Sequence, residues 1–239
     1  MNFTVVRANI VNVTADAIVL PANEKLKEGS GTSKAIFDAA GRSKLTKACT
    51  EIGRCDTGTA VPTPAFDLDA KYIIHAVVPK WRDGNHDEYG LLSSAYLTSL
   101  KLADVMGCES IAFPLLASGN NGFDRALAFQ IAQKSINEFN GEKLKNVTLV
   151  VYGDNTECFV KSQGYDVTVI AETKPKHKLQ VPDEAKKFID HGLKAAGDWL
   201  KDENNRKKLI EAGISIALMV LPAGGKGAKA IGVIKKLIK

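Results

Sequence analysis

Residues 111–125, I-A-F-P-L-L-A-S-G-N-N-G-F-D-R, restrict what this chain can fold into more than any other stretch. Ile111 to Leu116 is a short apolar run interrupted only by Pro114, the pattern of a strand. Ala117-Ser118-Gly119-Asn120-Asn121-Gly122 is a turn of small and polar residues. From Asp124 onward Leu127, Ile131 and Ile136 recur at helical spacing. Two glycines and a serine let a backbone approach a ligand closely and aim its N–H groups at it. The start of the following helix adds a partial positive charge. Strand, side-chain-poor loop and helix together suit an anion. A plain strand-to-helix turn uses the same residue types, so the stretch alone leaves both readings open.

The preceding residues repeat this alternation. Phe3–Arg7 and Ala17–Leu20 have strand patterns, the second ended by Pro21, with a polar turn over Asn9–Asp16 between them. Asn23–Gly31 is a loop rich in Lys, Glu and Gly. Helices are expected over Ser33–Ala40, with Gly41 as C-cap, and over about Ser43–Ile52. Thr59–Pro64 and Lys71–Val77 are strands flanking a turn at Asp67-Leu68-Asp69, and Trp81–Tyr89 is a polar loop. Leu91–Met106 places Leu92, Tyr96, Leu100 and Ala103 on one helical side. Val147–Tyr152 and Asp166–Ile170 are the last strands. This order predicts an α/β fold, a three-layer α/β/α domain on a largely parallel or mixed sheet over residues 1–171. In such sheets ligands bind beyond the carboxyl ends of the strands, which singles out the loops Asn23–Ser33 and Ala117–Phe123.

The net charge of +5 conceals two different parts. Residues 1–171 carry 17 Lys/Arg against 19 Asp/Glu, a net of −2, and residues 172–239 carry 15 against 8, a net of +7. Thr173–Pro182 reads as a linker, and residues 183–239 as a basic, helical extension. Contact of this tail with an anionic membrane or nucleic acid is conceivable on charge alone; a solvated face on a docked helical extension explains it better. Its apolar run, I-S-I-A-L-M-V-L, is too short to span a bilayer. Cys49, Cys55, Cys108 and Cys158 sit singly, without C-x-x-C spacing, so buried thiols are expected and no metal site. No charged-then-apolar segment opens the chain, and a cytoplasmic location is expected.

With both loops placed, the chain resembles a macrodomain, the ADP-ribose-binding α/β/α module, over about residues 1–171. The matching pieces fall in family order. Val19-Leu20-Pro21-Ala22-Asn23 stands for V-N-A-A-N, and Gly29-Ser30-Gly31-Thr32-Ser33-Lys34-Ala35-Ile36 for G-G-G-G-V-D-G-A-I. Ala39-Ala40-Gly41 follows at the family distance, and Cys55-Asp56-Thr57-Gly58-Thr59-Ala60 matches C-x-T-G-x-A. Tyr72-Ile73-Ile74-His75-Ala76-Val77 matches Y-I-I-H-x-V, while Ser110–Pro114 and Ser118–Phe123 match S-I-A-F-P and T-G-x-Y-G-F. The resemblance implies binding of ADP-ribose or an ADP-ribosylated protein, with no cofactor. It implies that the two facing glycine loops, with Gly29, Gly31, Thr32, Ser33, Ser118, Gly119, Asn120, Asn121 and Gly122, surround the diphosphate, and that Ala22 and Ile10 also belong to the ligand site. Asn23, the one tentative catalytic residue, and Phe123 would meet the distal ribose. Asn9 and Tyr152 would border the adenine, with Asn9 in place of a family Asp. His75, mid-strand, is expected in the core.

The departures bear on chemistry. Many hydrolytic members have an Asp where this chain has Ser33, and a serine hydroxyl at its ordinary pKa is no base for water. Ser33 is instead expected to cap a helix starting near Lys34. Asn121 replaces an aromatic, and Asp124 replaces a proline and is expected to turn its carboxylate away as an N-cap. Gly29–Lys34 is not a Walker A loop, which needs lysine before the hydroxyl residue. Two functions follow: a module that binds ADP-ribose, or an ADP-ribosyl hydrolase or O-acetyl-ADP-ribose deacetylase whose water is polarised by the substrate's own phosphate.

Overall fold

The computed structural model describes residues 1–170. The expected linker and basic helical extension lie outside the described residues. Seven strands form one sheet: β1 Asn2–Arg7, β2 Ala17–Ala22, β3 Ala60–Pro64, β4 Tyr72–Val77, β5 Ser110–Pro114, β6 Asn146–Val151 and β7 Val167–Val169. Their spatial order is β3-β4-β2-β5-β6-β1-β7. Every pairing is parallel except that of β3 with β4.

The strands are nearly continuous apolar runs because both faces of the sheet are covered. Alternate residues divide between two cores. Val19, Ile74, Ile111, Phe113 and Leu149 face one layer, with Leu92, Tyr96, Leu100 and Ala103 of helix α3 (Glu88–Val105) and Ile131 and Ile136 of α4 (Arg125–Glu138). Ile18, Leu20, Ile73, Ala112 and Val150 face the other, with Ile36 and Phe37 of α1 (Thr32–Ala40) and Leu45 and Cys49 of α2 (Arg42–Ile52). The three-layer α/β/α architecture is as expected, and so is the apolar face of α3, whose four predicted residues are 0% exposed. Gly41, with φ 88°, ends α1 as expected.

Several expectations give way to tertiary structure. β2 runs through Pro21 to Ala22 rather than stopping at Leu20. Its ladder with β5 ends at Ile18, so beyond that point only the β4 side is paired and a residue without an N–H fits. α3 begins at Glu88, inside the expected polar loop. A further helix, α5 (Asp154–Ser162), has no apolar stripe to announce it, because its buried residues are Val160 and Glu157. Arg7 at the end of β1 donates to that Glu157 carboxylate at 2.7 Å.

His75 is wholly buried on β4, with Nε2 2.9 Å from Thr63 Oγ1. Burial pushes its pKa down to about 3, so the ring is neutral. The Cys49 sulfur lies 4.0 Å from both ring nitrogens, a thiol packed on a ring rather than a directed hydrogen bond. Burial raises the Cys49 thiol to about 12 and the Cys55 thiol to about 11, which makes both unreactive.

Candidate functional site

β2 and β5 are parallel neighbours, so the loops that follow them leave the same edge of the sheet side by side. They touch: Asn120 Nδ2 donates to Ser30 Oγ at 2.6 Å. Both of these side chains are flanked by glycines, Gly29 and Gly31 on one loop and Gly119 and Gly122 close by on the other.

The first loop folds around its own asparagine. Asn23 Oδ1 accepts from the Lys25 and Lys27 amides, each at 3.2 Å, and Nδ2 donates to Lys27 O at 2.6 Å. The carbonyl oxygen is therefore fully used, and one N–H remains to donate to a ligand. Between these bonds Leu26, with φ 53° and 1% exposed, drops into the core. Glu24 O accepts from Cys55 N at 2.9 Å, and the Glu24 carboxylate meets Arg54 at 2.9 Å and Thr57 at 3.0 Å. Glu28 pairs with Arg42 of α2.

Ser33 does not cap α1. The helix starts two residues earlier, at Thr32 with Gly31 as N-cap, and Ser33 Oγ instead accepts from Gly29 N at 3.0 Å. Only a glycine holds the Gly31 angles, φ 58° and ψ −126°, without strain. Among the described residues no side chain caps this helix, so the first amides of α1, from Thr32 to Lys34, remain available to an acceptor.

The second loop hangs from the core. The buried Tyr96 hydroxyl accepts from Leu116 N at 3.0 Å, Phe123 N donates to Ala117 O at 3.2 Å, and Gly122 N to Gly119 O at 2.9 Å. Ser118 Oγ bonds Leu115 O at 2.9 Å, turning its hydroxyl back into the loop. Among the described residues the Gly119, Asn120 and Asn121 amides have no acceptor within the protein. Asp124 caps α4, accepting from Ala126 N at 2.9 Å and Leu127 N at 3.1 Å. Its carboxylate offsets the positive end of α4, so the helix end open to an anion is that of α1 rather than the one after the second loop. Replacing Asp124 by Ala should lower the unfolding free energy by about 1 kcal/mol, checked by urea titration.

At the β1–β6 side, Ala8 N donates to Val151 O at 3.2 Å, so Asn9 and Tyr152 leave the sheet as neighbours. Asn9 Oδ1 accepts from Val11 N at 3.3 Å, capping a short 3-10 turn, Ile10–Asn12. Tyr152 is 74% exposed, while Ile10 and Ala22 are buried and offer a ligand little beyond backbone. Phe123, at 3%, is buried and packed edge-on against Trp81 with ring centroids 5.1 Å apart, so it offers a ligand little open surface.

Two residues of the site escaped the sequence. Trp81 N donates to Asn121 O at 2.7 Å, and Asn121 Nδ2 to Pro79 O at 2.8 Å and Val78 O at 3.4 Å. Glu88, 1% exposed, gathers the amides of Arg82, Asp83, Gly84 and His86 on its carboxylate. Burial raises its pKa, and the amides of Glu88, His86, Gly84 and Asp83 more than offset this, bringing it down to about 2. The available signal was the lone Glu between a turn-rich loop and an apolar helical pattern. Among the described residues no group of His, Cys, Asp and Glu could hold a metal ion.

A family model described as Macro domain matches residues 19–132. A macro domain-containing protein of Caldanaerobacter subterraneus subsp. tengcongensis is 41% identical over 165 residues, covering 67% of this chain and 94% of that one. The O-acetyl-ADP-ribose deacetylase of Escherichia fergusonii is 46% identical over 139 residues, 56% of this chain and 78% of the relative. Among solved structures, the Oceanobacillus iheyensis macrodomain with ADP aligns at a TM-score of 0.63 and 30% identity, covering 66% of this chain and 87% of that one. The Trypanosoma brucei macrodomain in complex with ADP-ribose aligns at 0.62 and 26%, covering 68% and 69%. With the sheet order, both glycine loops and these relatives in agreement, the chain belongs to the macrodomain family.

Proposed function

We propose that this protein binds ADP-ribose or ADP-ribosyl groups through the diphosphate. The observation that carries the reading is the contact of the two glycine loops across one sheet edge, with uncapped α1 amides on one side and the free Gly119, Asn120 and Asn121 amides on the other. Such a cradle stabilises two negative charges without burying a cation. Solved macrodomains with ADP and with ADP-ribose support the same ligand. Asn23 has one N–H left for a ribose hydroxyl, Phe123 backs that end of the groove, and Asn9 and Tyr152 flank the other. The buried free thiols Cys49, Cys55 and Cys108 support a reducing, cytoplasmic setting. Calorimetry with ADP-ribose tests the reading: a heat saturating at micromolar ligand is expected, and none at sub-millimolar protein overturns it.

A second reading is supported by the relatives named O-acetyl-ADP-ribose deacetylase. In it, water attacks the carbonyl carbon of an ester on the distal ribose, giving the free acid and the ribose hydroxyl. Among the described residues no side chain of the two loops is placed to act as base. The Ser33 hydroxyl is 5% exposed and bonded to Gly29 N, so a phosphate oxygen of the substrate would orient the water and relay its proton to the leaving ribose oxygen. The role of Asn23 is to hold the ribose. Turnover assays on O-acetyl-ADP-ribose and on ADP-ribosylated glutamate, aspartate and serine test this, and turnover indifferent to Asn23→Ala removes the mechanism.

A further inference from the structure

The second loop carries a four-residue turn. Gly122 N donates to Gly119 O at 2.9 Å, which puts Asn120 and Asn121 at the two central positions. Those two residues supply two of the amides proposed to hold the diphosphate. A turn closed by one hydrogen bond keeps its shape but can still tilt as a body. Any tilt swings both amides together, so what fixes the turn also fixes the donors.

Two side chains hold the turn, one toward each neighbouring segment. Asn120 Nδ2 reaches Ser30 Oγ on the first loop at 2.6 Å. Both residues are exposed, so water competes for that bond. Asn121 reaches the segment released by β4. Its Nδ2 donates to Pro79 O at 2.8 Å and to Val78 O at 3.4 Å. Its main-chain oxygen accepts from Trp81 N at 2.7 Å. The residue is half-buried, and its amide donors are taken up by the protein. The part of Asn121 left for a ligand is therefore its backbone N–H.

The support on which Asn121 rests is itself fixed. Val78 N donates to Ala22 O at 3.4 Å, at the end of β2. Farther along, the buried Glu88 carboxylate ties down the amides of Arg82, Asp83, Gly84 and His86. Trp81 packs edge-on against Phe123, whose N–H returns to Ala117 O at 3.2 Å. The contacts thus close a ring, from the turn through Asn121 to Trp81, to Phe123, and back into the same loop.

We infer that Asn121 is a positioning residue for the diphosphate: its side chain braces the turn against the segment after β4 and so sets the direction of the Asn120 and Asn121 amides. The inference rests on the ADP-ribose reading above. Donors fixed before the ligand arrives need no ordering when it binds. Without the Asn121 amide group, the bonds from Trp81 N to Asn121 O and from Gly122 N to Gly119 O both remain. The turn then persists but tilts more freely. Affinity falls for ligands that use its amides and for no others.

The test titrates ADP-ribose, ADP and adenosine into the full chain and three variants, read by amide NMR shifts. Asn121→Ala should weaken ADP-ribose and ADP by the same factor, about three- to tenfold, the scale of one net hydrogen bond. Adenosine, which has no phosphate, should bind the variant as it binds the unmodified protein. Asn121→Leu keeps the volume without the donor and should repeat the loss, which covers the case that Asn121→Ala does not fold. Asn121→Gln restores a donor and should recover part of the affinity. Equal losses for all three ligands would mean that Asn121 only maintains this edge of the fold. No loss for ADP-ribose would mean that the turn needs no brace. Asn121→Gln no better than Asn121→Leu would mean that the donor is not what matters, and this comparison decides on ADP-ribose alone. Each of these results overturns the assignment. Failure of the unmodified protein to bind ADP-ribose strikes the nucleotide reading instead, and takes the assignment with it.

Discussion

Replacing Gly119 by Val should lower ADP-ribose affinity at least about 100-fold, near 2.8 kcal/mol, with almost no change in thermal stability. A Cβ at Gly119 meets nothing within 4 Å, and the residue is not among the glycines at positive φ. The fold therefore tolerates a side chain there. The side chain enters open space on the loop whose amides are proposed to hold the diphosphate, and a β-branched residue there has few rotamers with which to clear a bound ligand. Gly31 is the informative contrast. It too has no atom within 4 Å of a Cβ, but its φ of 58° makes any side chain costly, by about 1–3 kcal/mol of strain. Gly31→Val should lose binding and stability together, and Gly119→Val binding alone. Calorimetry with ADP-ribose and thermal unfolding separate the two. Unimpaired binding by a folded Gly119→Val protein would show that the diphosphate does not pass between these loops.

The second large effect concerns acid. Unfolding free energy should fall as pH drops below about 6.5, at a rate of about 1.4 kcal/mol per unit from His75 alone. The sign follows from the direction of the shift. The folded ring resists its proton down to about 3, and the unfolded ring takes one near 6.5. Between those values the unfolded state binds the extra proton, so stability is fully present above 6.5 and is lost as pH falls toward 3. Glu88 adds to the loss at the acid end, since its carboxylate stays charged in the fold down to about 2 and protonates near 4.5 when unfolded. Denaturant titrations from pH 7 to 4 measure the slope, and His75→Gln, which keeps a partner for Thr63, should make it shallower by one proton's worth between pH 6.5 and 4.5. Identical slopes in the two proteins would place the proton elsewhere.

The elements most legible in the sequence were those whose period was written in apolar residues. Leu92, Tyr96, Leu100 and Ala103 marked the buried face of α3 without help from any neighbour. The pairing of the two loops on one edge followed from the alternation of strands and helices, which forces their strands to run the same way. Local hydrogen bonding was harder to foresee. Ser33 has the residue type of an N-cap, yet its hydroxyl closes the turn at Gly29, because Gly31 starts the helix early in a conformation open to glycine alone. α5 was invisible because its buried face carries a glutamate, satisfied by an arginine 150 positions away. Trp81 looked like part of a polar loop. Its surroundings come from Asn121 and Phe123, some 40 residues later, and no window of sequence joins them.

The first loop is tied at Leu26, Glu24, Glu28 and Gly29, in each case by the protein itself. Its shape is therefore purchased during folding, and the entropy of arranging it does not recur at each encounter with a nucleotide. Association can then proceed as a one-step docking, with little of the interaction energy diverted into ordering the chain.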